Sequence, residues 1–117
     1  MSLVARHLEA EGIPTVLVGS ARDIVEECGV ARFLFVDYPL GNSTGKPGDV
    51  ENQNTIVSTA LDVLESAVFP RTTVQAPVRW GSDDWRDAFM AVTDENRAKL
   101  AEIGERRRAK QAARAAE

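Results

Sequence analysis

The stretch that decides the fold is residues 33–49, FLFVDYPLGNSTGKPGD. A short apolar run ends at Asp37, and the residues from Asp37 to Asp49 are then rich in Gly, Pro and small polar side chains before a helical pattern resumes. In a parallel α/β layout this position is the carboxyl end of a strand, where ligands usually bind. Long loops are also more often functional than short ones. The stretch therefore predicts a ligand-binding loop, and an elaborate turn without a ligand is the alternative.

Composition limits the class of protein. A chain of 117 residues forms one domain at most, and its 44% hydrophobic content is ordinary for a soluble fold. The strongly apolar runs Ile13–Val18 and Phe33–Val36 are too short to span a bilayer. The chain does not begin with a basic region followed by an apolar block, which is the pattern of a secretory signal peptide. The one cysteine, Cys28, cannot form an internal disulfide. We therefore expect a cytoplasmic protein that does not enter a membrane.

Charge is unevenly distributed along the chain. Residues 1–92 hold seven Lys or Arg against thirteen Asp or Glu, whereas residues 93–117 hold seven against five. Nucleic-acid binding needs a concentrated basic face. The acidic body therefore argues against a nucleic-acid partner.

The first part of the chain predicts a helix followed by a buried strand. Residues 2–11 carry apolar positions at helical spacing, and Gly12 lies where a helix C-cap belongs. The β-branched run Thr15–Val18 is typical of a buried parallel strand. The residues at this spacing are Leu3, Val4, His7 and Leu8, and His7 is expected to be a partly exposed helix histidine.

A second helix and strand follow. Ser20 can cap a helix over residues 21–28, and Gly29 would end it. The inner face of this helix would comprise Ile24, Val25 and Cys28. Arg32–Asp37 is the second predicted strand. The connections have the lengths that βα units use.

After the long loop, Asp49 is a candidate N-cap for a helix that continues to about residue 67. Pro70 stops this helix, and residues 72–76 predict a short strand that Pro77 confines to a sheet edge. The apolar stripe of the helix comprises Ile56, Val57, Ala60, Leu61, Leu64, Ala67 and Val68, and is broad enough for a core helix.

The C-terminal part is predicted to be helical. Ser82 is a candidate N-cap, the pattern is helical from Asp83, and Thr93 is a point where it could break into two pieces. Past Ile103 the apolar stripe ends in an Ala- and Arg-rich segment, which usually stays solvated, with a surface for a partner or for nucleic acid as the alternative. We therefore divide the chain into an α/β domain at residues 1–80 and a C-terminal helical arm or tail at 81–117.

The fold class that emerges is α/β, with a small parallel sheet of two or three strands, flanking helices in three layers as in half of a Rossmann domain, and a long C-terminal helix. Its first helix has no strand before it, although a βαβ helix packs between two parallel strands. We therefore expect a partner chain to complete the sheet. A small domain that stands alone is the alternative.

The loop superficially resembles a phosphate-binding P-loop but fails its spacing. Three residues rather than four separate Gly41 and Gly45, and Pro47 follows Lys46 where Ser or Thr is required. Free backbone N–H groups together with Lys46 would still suit a carboxylate or phosphate.

Catalytic and metal chemistry within the chain is not expected. His7 is the only histidine and lies in the first helix, far in sequence from the loop. Cys28 is predicted to be a small core residue rather than a reactive thiol. One histidine and one cysteine do not make a metal site. The acidic group Asp83, Asp84 and Asp87 falls in a helix first turn, where carboxylates are stabilising.

Three short elements together resemble a known family. They are Gly12-Ile13-Pro14-Thr15-Val16, the run Ala31–Val36, and Pro39-Leu40-Gly41-Asn42. This combination resembles the C-terminal part of the glycine/sarcosine/betaine reductase component B family, the selenoprotein B group, which includes relatives of D-proline reductase. The resemblance extends from about Ala5 to Glu65.

The resemblance implies reductive cleavage of a C–N bond alpha to a carboxylate. Family members use a selenocysteine or cysteine redox motif, and a pyruvoyl-bearing subunit can bind the substrate amine. The family's redox motif would fall at or before Met1, and residues 1–4 contain no cysteine. The resemblance therefore implies no cofactor in this chain, and a redox Cys or Sec, or a pyruvoyl group, on a partner subunit.

Two functional hypotheses follow. In the first, the chain is a small subunit of a heteromeric reductase-like oxidoreductase, and its loop lines a pocket for a small carboxylate-bearing substrate. The second is a non-catalytic structural or regulatory subunit. Under the first hypothesis the substrate-orienting residues are Ser20, Tyr38, Asn42, Ser43, Thr44 and Lys46. The loop scaffold is Pro39, Leu40, Gly41 and Gly45.

Overall fold

The computed structural model describes residues 1–89 and 91–115, which fall into two compact units divided between Asp83 and Asp84. The first unit contains α1 (Ser2–Ala10), β1 (Leu17–Gly19), α2 (Arg22–Cys28), β2 (Arg32–Phe35), α3 (Val50–Ser66) and β3 (Thr72–Gln75). The second contains α4 (Asp84–Ala88) and α5 (Asp94–Ala115).

The three strands form one parallel sheet in the order β1-β2-β3. Val18 pairs with Leu34, and Leu34 with Val74, so that β2 lies in the centre. The predicted α/β fold, with a small parallel sheet, flanking helices and a long C-terminal helix, is confirmed. The strand after Pro70 lies at an edge, as Pro77 predicts.

Side chains that alternate along the strands supply two cores on opposite faces of the sheet. Leu34 and Val36 pack with α3 through its buried residues Ile56, Ala60 and Val63. Phe33 packs on the other face with Ala5 of α1 and Val25 of α2, together with Val30. The three layers are therefore α1 and α2, the sheet, and α3.

The two crossover connections have opposite hands. The chain moves from β1 to β2 through α2, and onward in the same direction to β3 through α3, but the two helices lie on opposite faces of the sheet. Since a crossover's hand reverses when its helix changes face, one of the two departs from the usual right-handed rule.

Local signals set most helix ends. Gly29 ends α2 with φ of 69°, a left-handed conformation that favours glycine. Asp49 caps α3 by accepting a hydrogen bond from the Asn52 N–H at 3.0 Å, as predicted. The prediction for Ser20 is wrong, because the N-cap of α2 is Ala21 and no side chain caps this helix. Helix α3 ends at Ser66, before Pro70 is reached.

Several predicted helix faces are wrong in part. Ile24 is 61% exposed, and Val25 alone is buried on α2. Leu3 and Val4 are exposed on α1, which packs through Ala5 instead. On α3 the stripe buries only its centre, and its exposed flank comprises Val57 and Leu61, with Val68 exposed beyond the end of the helix. Periodicity located the helices correctly, but it included exposed residues in the buried faces and missed the buried Ala5 of α1 and Val63 of α3.

A single carboxylate oxygen joins α1 to the start of the sheet. Oε1 of Glu9 accepts hydrogen bonds from the Thr15 backbone N–H, the Thr15 hydroxyl at 2.8 Å and the Arg32 guanidinium at 2.9 Å. Burial opposes ionisation, but the Thr15 hydrogen bonds and the positive charge of Arg32 outweigh it and lower the pKa of Glu9.

The C-terminal unit contains the predicted break at Thr93, which lies just before α5. The Thr93 backbone N–H donates to Oδ1 of Asn96 at 2.9 Å, and the Asn96 N–H donates to Oγ1 of Thr93 at 3.4 Å, a reciprocal cap. Among the described residues of α5 none is buried. Over the described part of the chain, no helix combines the length and apolar character needed to cross a membrane.

Candidate functional site

The loop between β2 and α3 is built from three successive β-turns. Hydrogen bonds run from the Asn42 N–H to the Pro39 carbonyl, from the Gly45 N–H to the Asn42 carbonyl, and from the Asp49 N–H to the Lys46 carbonyl, at 3.1, 3.1 and 3.2 Å. In the third turn Gly48 has φ of 77°, and its Pro-Gly centre is the type II signature. The loop is thus ordered by its own backbone.

Two side chains of α3 hold this loop. The Lys46 N–H donates to Oδ1 of Asn52 at 3.0 Å, and the Gln53 side-chain amide donates to the Lys46 carbonyl at 2.8 Å. Gly45 packs against Gln53 so closely that a Cβ at Gly45 would lie 2.9 Å from the Gln53 Cα. The backbone of Gly45 and Lys46 is therefore fixed against the start of α3.

Tyr38 anchors the start of the loop in the core. Its side chain is 1% exposed, with the ring edge-on to Trp80 at a centroid distance of 5.1 Å. The hydroxyl donates to the Arg79 carbonyl at 3.1 Å and accepts from the Asn52 side-chain amide at 2.7 Å. Because it is buried and fully hydrogen-bonded, Tyr38 is positioned to hold the loop in place rather than to meet a ligand.

Four predicted substrate-orienting residues lie together on the middle turns of the loop. Within residues 1–89 and 91–115, the side chains of Asn42, Ser43, Thr44 and Lys46 have no hydrogen-bond or ion-pair partner. Thr44 is exposed and the other three are half-buried. This is a set of hydrogen-bond donors with one positive charge, held on a rigid backbone. Such a set suits a carboxylate.

Ser20 lies at the same edge of the sheet, directly after β1. Its hydroxyl oxygen is buried and has no partner within the described residues. A buried hydroxyl without a hydrogen bond is costly, and native structures usually supply a partner for it.

The residues of the loop scaffold differ in burial. Gly45 is buried, whereas Leu40 and Gly41 are exposed and Pro39 is half-buried.

Groups for covalent or metal chemistry are not assembled at this edge. No cluster of three or more His, Cys, Asp or Glu side chains suited to a metal exists in the described residues. His7 is exposed on α1, and Cys28 is half-buried at the end of α2. The arrangement can therefore bind and orient a small anion, but it holds no recognisable nucleophile and base pair.

Sequence reasoning did not identify Asn52 and Gln53. The available signal was their position: polar side chains in the first turn of a helix reach backward over the preceding loop, as capping residues do. Their partners, Tyr38 and Lys46, are not at a spacing that a periodic pattern would reveal.

The fold and loop define an α/β domain with a polar loop at the carboxyl edge of a parallel sheet. The chain is similar to D-proline reductase subunit gamma of Acetoanaerobium sticklandii, with 31% identity over 62 residues. The aligned region is 53% of this chain and 26% of the relative, so the chain matches about a quarter of that protein's length. No family model matches the chain, and no solved structure matches it either. The similarity supports a distant relationship to D-proline reductase, and it does not support one to the component B family.

Proposed function

We propose that this chain is a small subunit of a heteromeric, cytoplasmic reductase-like enzyme, in which loop 37–49 forms one wall of the substrate pocket. The observation that carries the proposal is the similarity to D-proline reductase subunit gamma, which by its name is one subunit of a multi-subunit reductase. The location of the loop adds support, because ligands of parallel α/β sheets bind beyond the carboxyl ends of the strands.

The proposed role of this chain is to bind and orient a small carboxylate-bearing substrate. The Lys46 ammonium would pair with the carboxylate, and the Asn42 amide would donate a hydrogen bond to it. Ser43 and Thr44 offer further hydroxyl donors, and Ser20 offers one from the neighbouring strand. The redox Cys or Sec, or a pyruvoyl group, would belong to a larger partner subunit, since the described part of this chain brings no cysteine to the loop.

The test is the activity of the complete assembly with Asn42→Ala or Lys46→Ala in this subunit. The assay would follow reductive C–N cleavage of D-proline with a dithiol reductant. We expect K46A to raise KM by roughly tenfold, the equivalent of one charge-assisted hydrogen bond. Asn54→Ala and Lys99→Ala are matched controls, because these exposed side chains lie outside the loop.

If N42A and K46A leave KM and kcat at the level of the controls, the pocket role is wrong. The chain would then be the non-catalytic structural or regulatory subunit of the second hypothesis. Such a subunit retains the fold but takes no part in the reaction.

A further inference from the structure

Helix α3 packs on the sheet with one face and leaves a second apolar stripe exposed. Val50, Val57 and Leu61 are 66%, 50% and 54% exposed. At about 100° per residue, these three side chains lie within an arc of roughly 40°. The neighbouring arc of roughly 60° carries the charged side chains of the helix, which are Glu51, Asp62 and Glu65, all exposed. Helix α3 therefore presents an apolar stripe with acidic residues beside it.

The C-terminal end of α3 is strongly negative. The helix contains no Lys or Arg, and its last turn has no basic side chain to offset the partial negative charge of the free carbonyls there. Asp62 and Glu65 add two full negative charges near this end. Val68 and Phe69, which are 82% and 75% exposed, follow directly after it. This end of α3 is therefore complementary to a surface that is both cationic and apolar.

Helix α5 has a face of the opposite charge. Its apolar side chains Leu100 and Ile103 are 45% and 44% exposed, and they lie about 60° apart around the helix. An arc of about 120° contains both of them, together with four of the five Lys or Arg in residues 105–115, namely Arg106, Arg107, Lys110 and Arg114. The acidic residues of α5 lie outside this arc, and they are Asp94, Glu95, Glu102 and Glu105. Charge is therefore segregated around α5, whereas a face that is merely solvated usually mixes both signs.

The two faces match when the helices run parallel. In both helices the exposed apolar residues come first along the chain and the charged residues follow, as Leu61 precedes Glu65 and Ile103 precedes Arg106. Parallel packing therefore places apolar residues against apolar residues and the basic residues of α5 against the negative end of α3. Antiparallel packing would instead bring the basic residues to the N-terminus of α3, where the helix dipole repels cations.

A second copy of this chain supplies both complementary faces. The chain has a net charge of −4, so two copies repel each other overall, and a local match of opposite charges is needed to bring them together. In a pair related by a twofold axis, α5 of each copy meets α3 of the other. This exchange uses each face once and closes, so it gives a dimer rather than a filament.

We propose that this chain dimerises through α5 of one copy packed parallel on α3 of the other. Leu100 and Ile103 pack on Val57 and Leu61, and the basic residues of α5 pair with Asp62 and Glu65. The contact lies outside loop 37–49, so it is independent of the proposed function. Two helix contacts form a small interface, and we expect a dissociation constant on the order of 10–100 µM.

Sedimentation equilibrium of the full chain measures the association. At about 200 µM protein and about 20 mM salt, the mass should approach that of two chains. Raising the salt to about 0.5 M should increase the dissociation constant by roughly tenfold, because exposed ion pairs are then screened. An association driven by apolar contact alone would not weaken with salt.

Charge reversal on α5 tests that helix with a matched control. Arg106→Glu combined with Lys110→Glu reverses two charges of the basic arc and should give a monomer. Arg97→Glu combined with Arg108→Glu makes the same change in net charge outside the arc and should leave the dimer intact.

Charge reversal on α3 tests the other face. Asp62→Lys combined with Glu65→Lys should also give a monomer, although it lowers the overall repulsion between copies. Glu11→Lys combined with Glu27→Lys is the control, because these exposed residues lie on other elements. Circular dichroism should show the same helix content in all four variants, since every substituted side chain is exposed.

Mixing the two charge-reversed chains tests the pairing itself. R106E/K110E has an acidic α5 and an acidic α3, whereas D62K/E65K has a basic α5 and a basic α3 end. Neither variant should dimerise alone, but an equal mixture restores opposite charges at both contacts. The mass of the mixture should therefore return to that of two chains at low salt.

Each result supports or overturns the dimer. A wild-type chain that is monomeric at about 200 µM and low salt overturns it, and so does a dimer that persists in either reversed variant. If both variants are monomeric and their mixture stays monomeric, α5 does not pair with α3 of another copy. Docking of α5 on α3 within one chain would give this last result.

Discussion

At the scale of single residues, Glu9 makes a testable contribution to stability. Its folded pKa is lowered, so its stabilising effect is present above the unfolded pKa of about 4.3 and is lost as pH falls through the folded value. Glu9→Gln keeps an acceptor for Thr15 but removes the charge that faces Arg32. We expect E9Q to lower the free energy of unfolding by about 0.5–1 kcal/mol at pH 7, as for a partly exposed ion pair.

The pH dependence of the stability difference between the wild type and E9Q shows whether the charge of Glu9 causes it. The difference between the wild type and E9Q should shrink as pH falls from the unfolded pKa of Glu9 through its lowered folded pKa, since Glu9 is then neutral in both states. Glu11→Gln is the control, because it removes the same charge from an exposed neighbour that forms no ion pair with the residues the structure describes. Urea unfolding at a series of pH values provides the measurement. A constant difference between E9Q and the wild type from pH 7 to pH 3 would contradict the ionic explanation.

Asn52 makes a second prediction at this scale. Asn52→Ala removes the side chain that bonds both Tyr38 and Lys46, and leaves the Lys46 N–H without its acceptor. We expect a loss of about 1–3 kcal/mol in the free energy of unfolding, the cost of unsatisfied polar groups in a packed site. Exchange of the Lys46 amide should also become faster. Asn54→Ala is the control on the exposed side of the same helix, and equal effects of the two substitutions would refute this account.

At the scale of elements, the turns of the loop can be tested through their glycines. Gly41 and Gly45 both have positive φ, 95° and 125°, which an L-residue disfavours by an amount of order 1–3 kcal/mol. A Cβ at Gly41 meets nothing within 4 Å, whereas one at Gly45 would meet the Gln53 backbone at 2.9 Å. Gly45→Ala should therefore be clearly more destabilising than Gly41→Ala. Thermal unfolding compares the two variants. Equal melting temperatures would show that the contact between residue 45 and α3 relaxes without loss of stability.

The same elements show what the sequence can predict and where prediction stops. Gly29 and Asp49 act on backbone groups within three residues of themselves, so their roles follow from local pattern. Ile24 and Leu3 are apolar at helical positions, but their burial depends on where the neighbouring elements lie. The opposite hands of the two crossovers cannot be derived from any local pattern, because they follow from which face α3 occupies.

One part of the candidate site can be predicted from the sequence, and the other part cannot. Lys46, Asn42, Ser43 and Thr44 were placed on one loop by their position after a strand, which chain order alone provides. Tyr38 was placed there too, but its ring enters the core, since it packs in the same buried cluster as Leu34 and Val36, every second residue before it. The Asn52 bond to Tyr38 joins residues fourteen apart in the sequence. Contacts of this kind require the helix to be positioned over the loop, and sequence periodicity carries no information about that placement.

At the scale of the whole molecule, the α/β unit holds all of the buried core found among the residues that the structure describes. Both clusters of buried apolar residues, with the side chains packed against them, come from residues 1–83. Because hydrophobic burial is the main stabilising term, a chain ending at Asp83 should fold cooperatively by itself. We expect its melting temperature to lie within a few degrees of the full chain's value, about what a change of less than 1 kcal/mol produces. Circular dichroism should show that mainly helical signal is lost, since the removed part includes α5. An unfolded 1–83 chain would mean that stability depends on residues beyond the two clusters.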